Sequence, residues 1–155
     1  MIVRDFMKHT VVSTGMDTTI REAASAMVKR HVGSLPVVDE HGKPVGIIGL
    51  RDLVDLELPD FVRFVEDVDF VHDFGAVETT RPDPGTLSRP ITSLMKPITT
   101  IEEDCGLLRA YALMLQHNIL DMPVVDTKGK LTGIVSRVDI GTAIISQWSS
   151  RGAKK

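Results

Sequence analysis

One cysteine, one tryptophan and one tyrosine stand in 155 residues, and aromatic side chains make up only 5% of the chain. A lone Cys105 excludes a disulfide framework or a thiolate metal cage within one chain. No apolar run approaches the roughly 18 residues a membrane span needs. The opening MIVRDFMKHT lacks a secretory h-region, so the expectation is a cytoplasmic protein without membrane contact. Lys and Arg number 18 against 21 Asp and Glu, a formal net charge of −3. That balance speaks against a nucleic-acid surface, while a few local cations could still hold a small anion. Catalytic signatures are missing too. The histidines (His9, His31, His41, His72, His117) show no HxxxH or HExxH spacing, and DFVHD around His72 is the sole local cluster with metal-ligand chemistry. GKPVGIIG lacks the order of a phosphate loop. No nucleophile with a neighbouring base and no carboxylate pair at motif spacing can be read, so the expectation is that the protein is not an enzyme and has no catalytic cofactor or metal.

What is present is a repeat. LPVVDEHGKPVGII (35–48) lies over MPVVDTKGKLTGIV (122–135), with Pro36 and Pro123, like Gly46 and Gly133, 87 residues apart. Upstream, FMKHTVV lies over LMKPITT. Ile20, Ala23, Ala24, Met27 and Val28 have the spacing of an amphipathic helix, and the same offset reaches Leu107, Ala110, Tyr111, Met114 and Leu115. Thr19 with Glu22, and Thr100 with Glu103, have the spacing of capping boxes opening these helices. Each helix leads into a short apolar strand, a turn carrying Gly42 or Gly129, and a second strand. A closing helix follows, with Ile140, Ala143, Ile144 and Trp148 on one face after Asp139, and an early stop at Pro59 after Asp52.

The fold class expected is therefore α/β: two pseudo-symmetric β-α-β-β-α repeats that pack together because neither is large enough for its own core. The expected boundaries are 1–56 for the first repeat, 57–89 for an insert, 90–150 for the second repeat and 151–155 for a basic tail. In the insert, Phe61, Phe64, Val65, Val68 and Val71 fall on one helical face, which packs on its own module or contacts a partner. Its acidic run, eight Asp or Glu from Asp52 to Asp73 against Arg63, reads as a solvated face. ETTRPDPGTLSRP reads as an extended connector.

With (L/M)PVVD, a turn glycine and GI(I/V)xxxD occurring twice, each after a helix and an FMK or LMK segment, the chain resembles a pair of CBS domains, the module named for cystathionine β-synthase. The resemblance implies a regulatory module with two clefts between the repeats. It implies as ligand an adenosine compound: AMP foremost, or ADP, ATP or S-adenosylmethionine. It also implies a homodimer that signals to an effector protein. In the family the Asp of the GI(I/V)xxxD segment accepts the ribose hydroxyls, a Ser or Thr three residues earlier assists, and backbone before PVV reads the adenine edge. Carried over, one cleft takes Asp139, Ser136 and Arg137 with Val12, Val32 and Gly33. The second takes Asp52, Gly49 and Arg51 with Thr99, Ile119 and Leu120. Gly49 lacks the hydroxyl of Ser136, which favours the first set. Energy-sensing relatives carry basic residues where this chain has Gly33 with Ser34 and Leu120 with Asp121. That leaves Arg51 and Arg137, and more distantly Lys8 and Lys96, to meet a phosphate. Asp121 itself would repel one.

Asp52 and Asp139 also stand where a strand turns into a helix, a usual place for a cap, and both readings remain open. Ligand sensing therefore competes with a ligand-free dimerisation or protein-interaction module. With a repeat near each end of the chain, the output is expected to pass to another protein.

Overall fold

Each repeat is organised by a β-hairpin whose turn is written in its own sequence. In the computed structural model, which describes residues 1–57 and 81–151, β1 (Thr14–Gly15), β2 (Ser34–Val38) and β3 (Pro44–Gly49) form one sheet in that order. β4 (Ile101–Glu102), β5 (Asp121–Val125) and β6 (Leu131–Ser136) form the other. In both sheets the hairpin is antiparallel and the short strand joins it in parallel. Asp39 Oδ1 accepts the backbone N–H groups of His41 and Lys43 at 2.9 and 3.0 Å. Asp126 Oδ1 accepts those of Lys128 and Lys130 at 2.8 and 3.0 Å. The bonds from Lys43 and Lys130 are the main reason both carboxyls lie below their ordinary pKa. Gly42 and Gly129 complete the turns at φ of 77° and 80°, a region where a side chain would be strained.

Helices α1 (Ile20–Arg30) and α4 (Leu107–Gln116) cover the sheets. Ile20, Ala23 and Met27 are buried beneath one, Leu107, Ala110 and Met114 beneath the other. The apolar stripe is narrower than the sequence spacing suggests, since Val28 is 80% and Leu115 55% exposed. Thr19 Oγ accepts the N–H of Glu22 as expected. The second capping box does not form. α4 begins at Leu107 with Gly106 as its cap, the residue 87 positions from Thr19. Residues 101–102 are taken by β4, and Glu103 pairs instead with Arg4 at 3.0 Å. Both helices end on a left-handed residue at the same repeat position, His31 at φ 51° and Asn118 at φ 52°.

The closing helices are unequal: α2 (Leu50–Val54) has 5 residues and α5 (Arg137–Arg151) has 15. Ile140 and Ala143 are buried and Ile144 packs against them. Trp148, one turn on, is 70% exposed, so the expected apolar face does not reach that far into the core. The connector is not extended throughout. Asp83 caps a helical turn, α3 (Pro84–Leu87), by accepting the N–H of Thr86, and Pro84 suits a first helical position. The Phe61–Val71 face, the early stop at Pro59 and the cluster around His72 lie outside the described residues.

The two units exchange their opening segments. Val3 and Met7 are buried in the core of the second unit, and Lys8 pairs with Ile134 there. Ile91 is buried in the core of the first unit, with Leu94 and Met95 packed on it and Lys96 paired with Ile47. This crossing accounts for the glycine of GI(I/V). A Cβ on Gly133 would overlap the Met7 side chain, and one on Gly46 that of Met95. The expected boundaries run each opening segment in line with its own repeat, whereas in space it closes the other.

Candidate functional site in the interrepeat clefts

β6 passes directly into α5, and this junction orients Asp139. The N–H of Ser136 donates to Asp139 Oδ2 at 2.9 Å, and the N–H of Asp139 donates to Ser136 Oγ at 3.0 Å. The pair is a reciprocal cap, which fixes the carboxylate and satisfies two helix-start donors at once. Its other oxygen, Oδ1, accepts no hydrogen bond among the described residues. Asp139 is thus a cap with acceptor capacity left over, able to take a hydroxyl.

Ser136 faces Asp121 across the β5–β6 ladder. Beside Asp121 a cavity of about 210 Å³ is lined by Val12, Val32 and Gly33 together with Lys8, Asp121 and Ile134. Three residues assigned to this cleft from sequence are therefore brought together. Asp139 and Ser136 border the cavity through Asp121 rather than lining it. Burial pushes the Asp121 carboxyl above its ordinary pKa, and the nearby Asp139 charge adds to the rise while Lys8 opposes it.

Arg137 and Gly33 are each engaged within the chain. The Arg137 guanidinium does not stand ready for a phosphate: Nε donates to the carbonyl of Ile119 at 2.8 Å and Nη2 to that of Met114 at 3.2 Å. It closes the C-terminal end of α4, where the Met114 carbonyl also accepts the N–H of Ile119 at 2.9 Å and a cation suits the negative end of the helix. The Gly33 carbonyl is likewise engaged, by the N–H of Leu50 at 2.8 Å, and its repeat counterpart Leu120 accepts from the N–H of Arg137 at 2.9 Å.

The second cleft differs in its acid. Asp52 Oδ2 accepts the N–H of Gly49 at 2.8 Å, and Asp52 Oδ1 lies 2.6 Å from Lys96 Nζ. Gly49 has no side chain to return the cap, so only half of the box exists here. Arg51 is exposed, Thr99 and Ile119 are partly buried, and Leu120 is 68% exposed rather than walled in. Lys96 is the functional neighbour that sequence reasoning set at a distance. Its signal was the shared Met-Lys of FMK and LMK, which the exchange of opening segments carries to the opposite unit.

Two larger cavities, about 850 and 610 Å³, lie on the helical faces of the two units. Leu53, Val54 and Val28 line the first, Leu108, Ile144 and Trp148 the second. Among the described residues no cluster of His, Cys, Asp or Glu could hold a metal ion, and no helix is long and apolar enough to cross a membrane.

The fold has counterparts among known proteins. The CBS domain profile matches twice, at residues 3–58 and 91–146. An uncharacterised protein of Methanopyrus kandleri is 32% identical over 138 residues, which are 89% of this chain and 60% of that protein, so the chain spans less than two thirds of this relative. The crystal structure of the Arabidopsis thaliana protein CBSX2 in complex with AMP superposes with a TM-score of 0.69 at 26% identity, over 94% of this chain and 97% of that one. The CBS domain pair of protein MJ0100, in complex with 5′-methylthioadenosine and S-adenosyl-L-methionine, also gives 0.69 at 26% identity, over 95% and 98%. With the domain matched in both halves and the repeats built alike, this chain belongs to the CBS-domain family.

Proposed function

We propose that the chain is a regulatory module that binds an adenosine-containing ligand in the cleft beside Asp139, and that a homodimer conveys its occupancy to an effector protein. The observation that carries this reading is the difference between the two acids. Asp139 is fixed by Ser136 with one oxygen still available among the described residues, whereas both oxygens of Asp52 are engaged. A carboxylate in that condition can accept ribose hydroxyls through charge-assisted hydrogen bonds. Apolar walls from Val12 and Val32 suit a base. The bound AMP of CBSX2 and the bound 5′-methylthioadenosine and S-adenosyl-L-methionine of the MJ0100 pair support an adenosine ligand.

Signalling requires that the ligand bind two arrangements unequally, because equal affinity shifts nothing. The exposed Leu108 and Trp148 on one helical face favour association with a second copy. The reading of a ligand-free interaction module keeps one specific support, the closed state of Asp52.

Isothermal titration with adenosine, AMP, ADP, ATP and S-adenosylmethionine, on wild type and Asp139→Ala, tests the proposal. Saturable binding lost in the variant is expected, at a stability cost of about 1 kcal/mol for the cap. No binding by any of the five would transfer the assignment to the interaction module. Sedimentation velocity reads the dimer, with Trp148→Glu expected to give monomer.

A further inference from the structure

We infer that Asp121 sets the ligand specificity of the Asp139 cleft, admitting an adenosine compound that is neutral or cationic at its 5′ end and turning phosphorylated nucleotides away. The inference rests on the adenosine reading above and departs from the sequence expectation that placed AMP first.

Much of the chemistry that would hold a phosphate here is already engaged. A helix start is an anion site because its first N–H groups point outward. At the start of α5, however, the N–H of Ser136 is bonded to Asp139 Oδ2, that of Asp139 to Ser136 Oγ, and that of Arg137 to the Leu120 carbonyl. The Arg137 side chain is committed to the carbonyls of Ile119 and Met114. Among the described residues Lys8 is the one Lys or Arg lining the cavity, and Asp121 lines it as well. A phosphate would thus enter against the carboxylates of Asp121 and Asp139 with one lysine to offset them, in surroundings that exclude enough water to raise the Asp121 pKa. The same carboxylates attract a sulfonium and leave a thioether undisturbed. The first unit lacks this acid: the residue 87 positions earlier is Ser34.

The test is isothermal titration of 5′-methylthioadenosine, S-adenosylmethionine, AMP and ATP into wild type, Asp121→Ser, Asp121→Asn and Asp139→Ala. Wild type is expected to bind a phosphate-free compound at least about tenfold more tightly than AMP or ATP, and both Asp121 variants to narrow that ratio by about tenfold, as removal of one nearby like charge should. AMP or ATP binding to wild type as tightly as 5′-methylthioadenosine, or an unchanged ratio in both variants, overturns the inference while leaving the cleft an adenosine site. Loss of all binding in Asp139→Ala keeps the two questions separate. If no probe binds wild type, or Asp139→Ala binds as well as wild type, the adenosine reading fails and this inference falls with it.

Discussion

Lys96 Nζ lies 2.6 Å from Asp52 Oδ1, so the acid that matches Asp139 is neutralised from within the chain. The lysine is delivered by the segment that opens the second repeat but packs on the first. Asp52 is only 10% exposed while Lys96 is 64% exposed, so the carboxylate is held inward and the lysine reaches it from the solvent side. Lys96→Met should therefore free the carboxylate and raise the stoichiometry of adenosine-compound binding from one to two per chain. Titration calorimetry reads this directly, and a stoichiometry that stays at one would mean that something other than Lys96 closes the cleft.

Arg137 tests whether a cation beside the site belongs to the ligand or to the scaffold. Its two bonds to helix-end carbonyls make it scaffold. Arg137→Met keeps much of the stem and removes those donors, at an expected cost of about 2–4 kcal/mol in urea unfolding. Ligand affinity in the folded variant should hold within about threefold, a difference of about 0.6 kcal/mol. Weakened affinity at undiminished stability would return Arg137 to the ligand set.

Two glycine-to-alanine changes in the same unit should have opposite signs. At Gly133 an added methyl would collide with Met7 and approach the Lys8 carbonyl to 2.9 Å, and overpacking of this kind costs about 1–3 kcal/mol. At Gly141, inside α5, nothing lies within 4 Å of the added methyl, so Gly141→Ala should stabilise the helix by about 0.5–1 kcal/mol. Thermal denaturation of the two variants side by side checks the exchanged packing.

The raised carboxyl of Asp121 gives stability a pH dependence. Burial makes ionisation harder in the folded chain than in the unfolded one, so the folded-state pKa stands above the ordinary 3.8. Stability is then lost as pH rises from the ordinary value through the folded one, and the loss persists at neutral pH. Asp139 strengthens the effect and Lys8 opposes it, while His31 lines the same cavity. Asp121→Asn should accordingly be more stable than wild type at pH 7, with the advantage shrinking below about pH 4. Denaturant midpoints at several pH values measure it, and an advantage that does not change with pH would remove the carboxylate charge as its cause.

Much of the architecture was legible because its causes are local. Asp39 with Gly42, and Asp126 with Gly129, lie within five residues of each other and make a turn wherever the chain goes. Helical spacing located α1 and α4 for the same reason. The Thr100–Glu103 box misled because capping spacing alone cannot tell a helix start from a short strand. Lys96 and Asp52 meet only because the opening segment of the second repeat crosses to the first, and Arg137 and Met114 only because α5 folds back onto α4; residue spacing alone records neither contact. The choice between cap and ligand at Asp139 was open in the sequence for a further reason. One carboxylate has two oxygens, and the cap uses only one of them.

The exchange of opening segments also governs the order of assembly during synthesis. Val3 and Met7 are made well before α4 and β6, the elements that complete their core. The first unit, for its part, lacks Ile91 and Met95 until the opening segment of the second repeat has been made. Each core therefore takes residues from both halves, so the two clefts and the acids beside them depend on one another for completion.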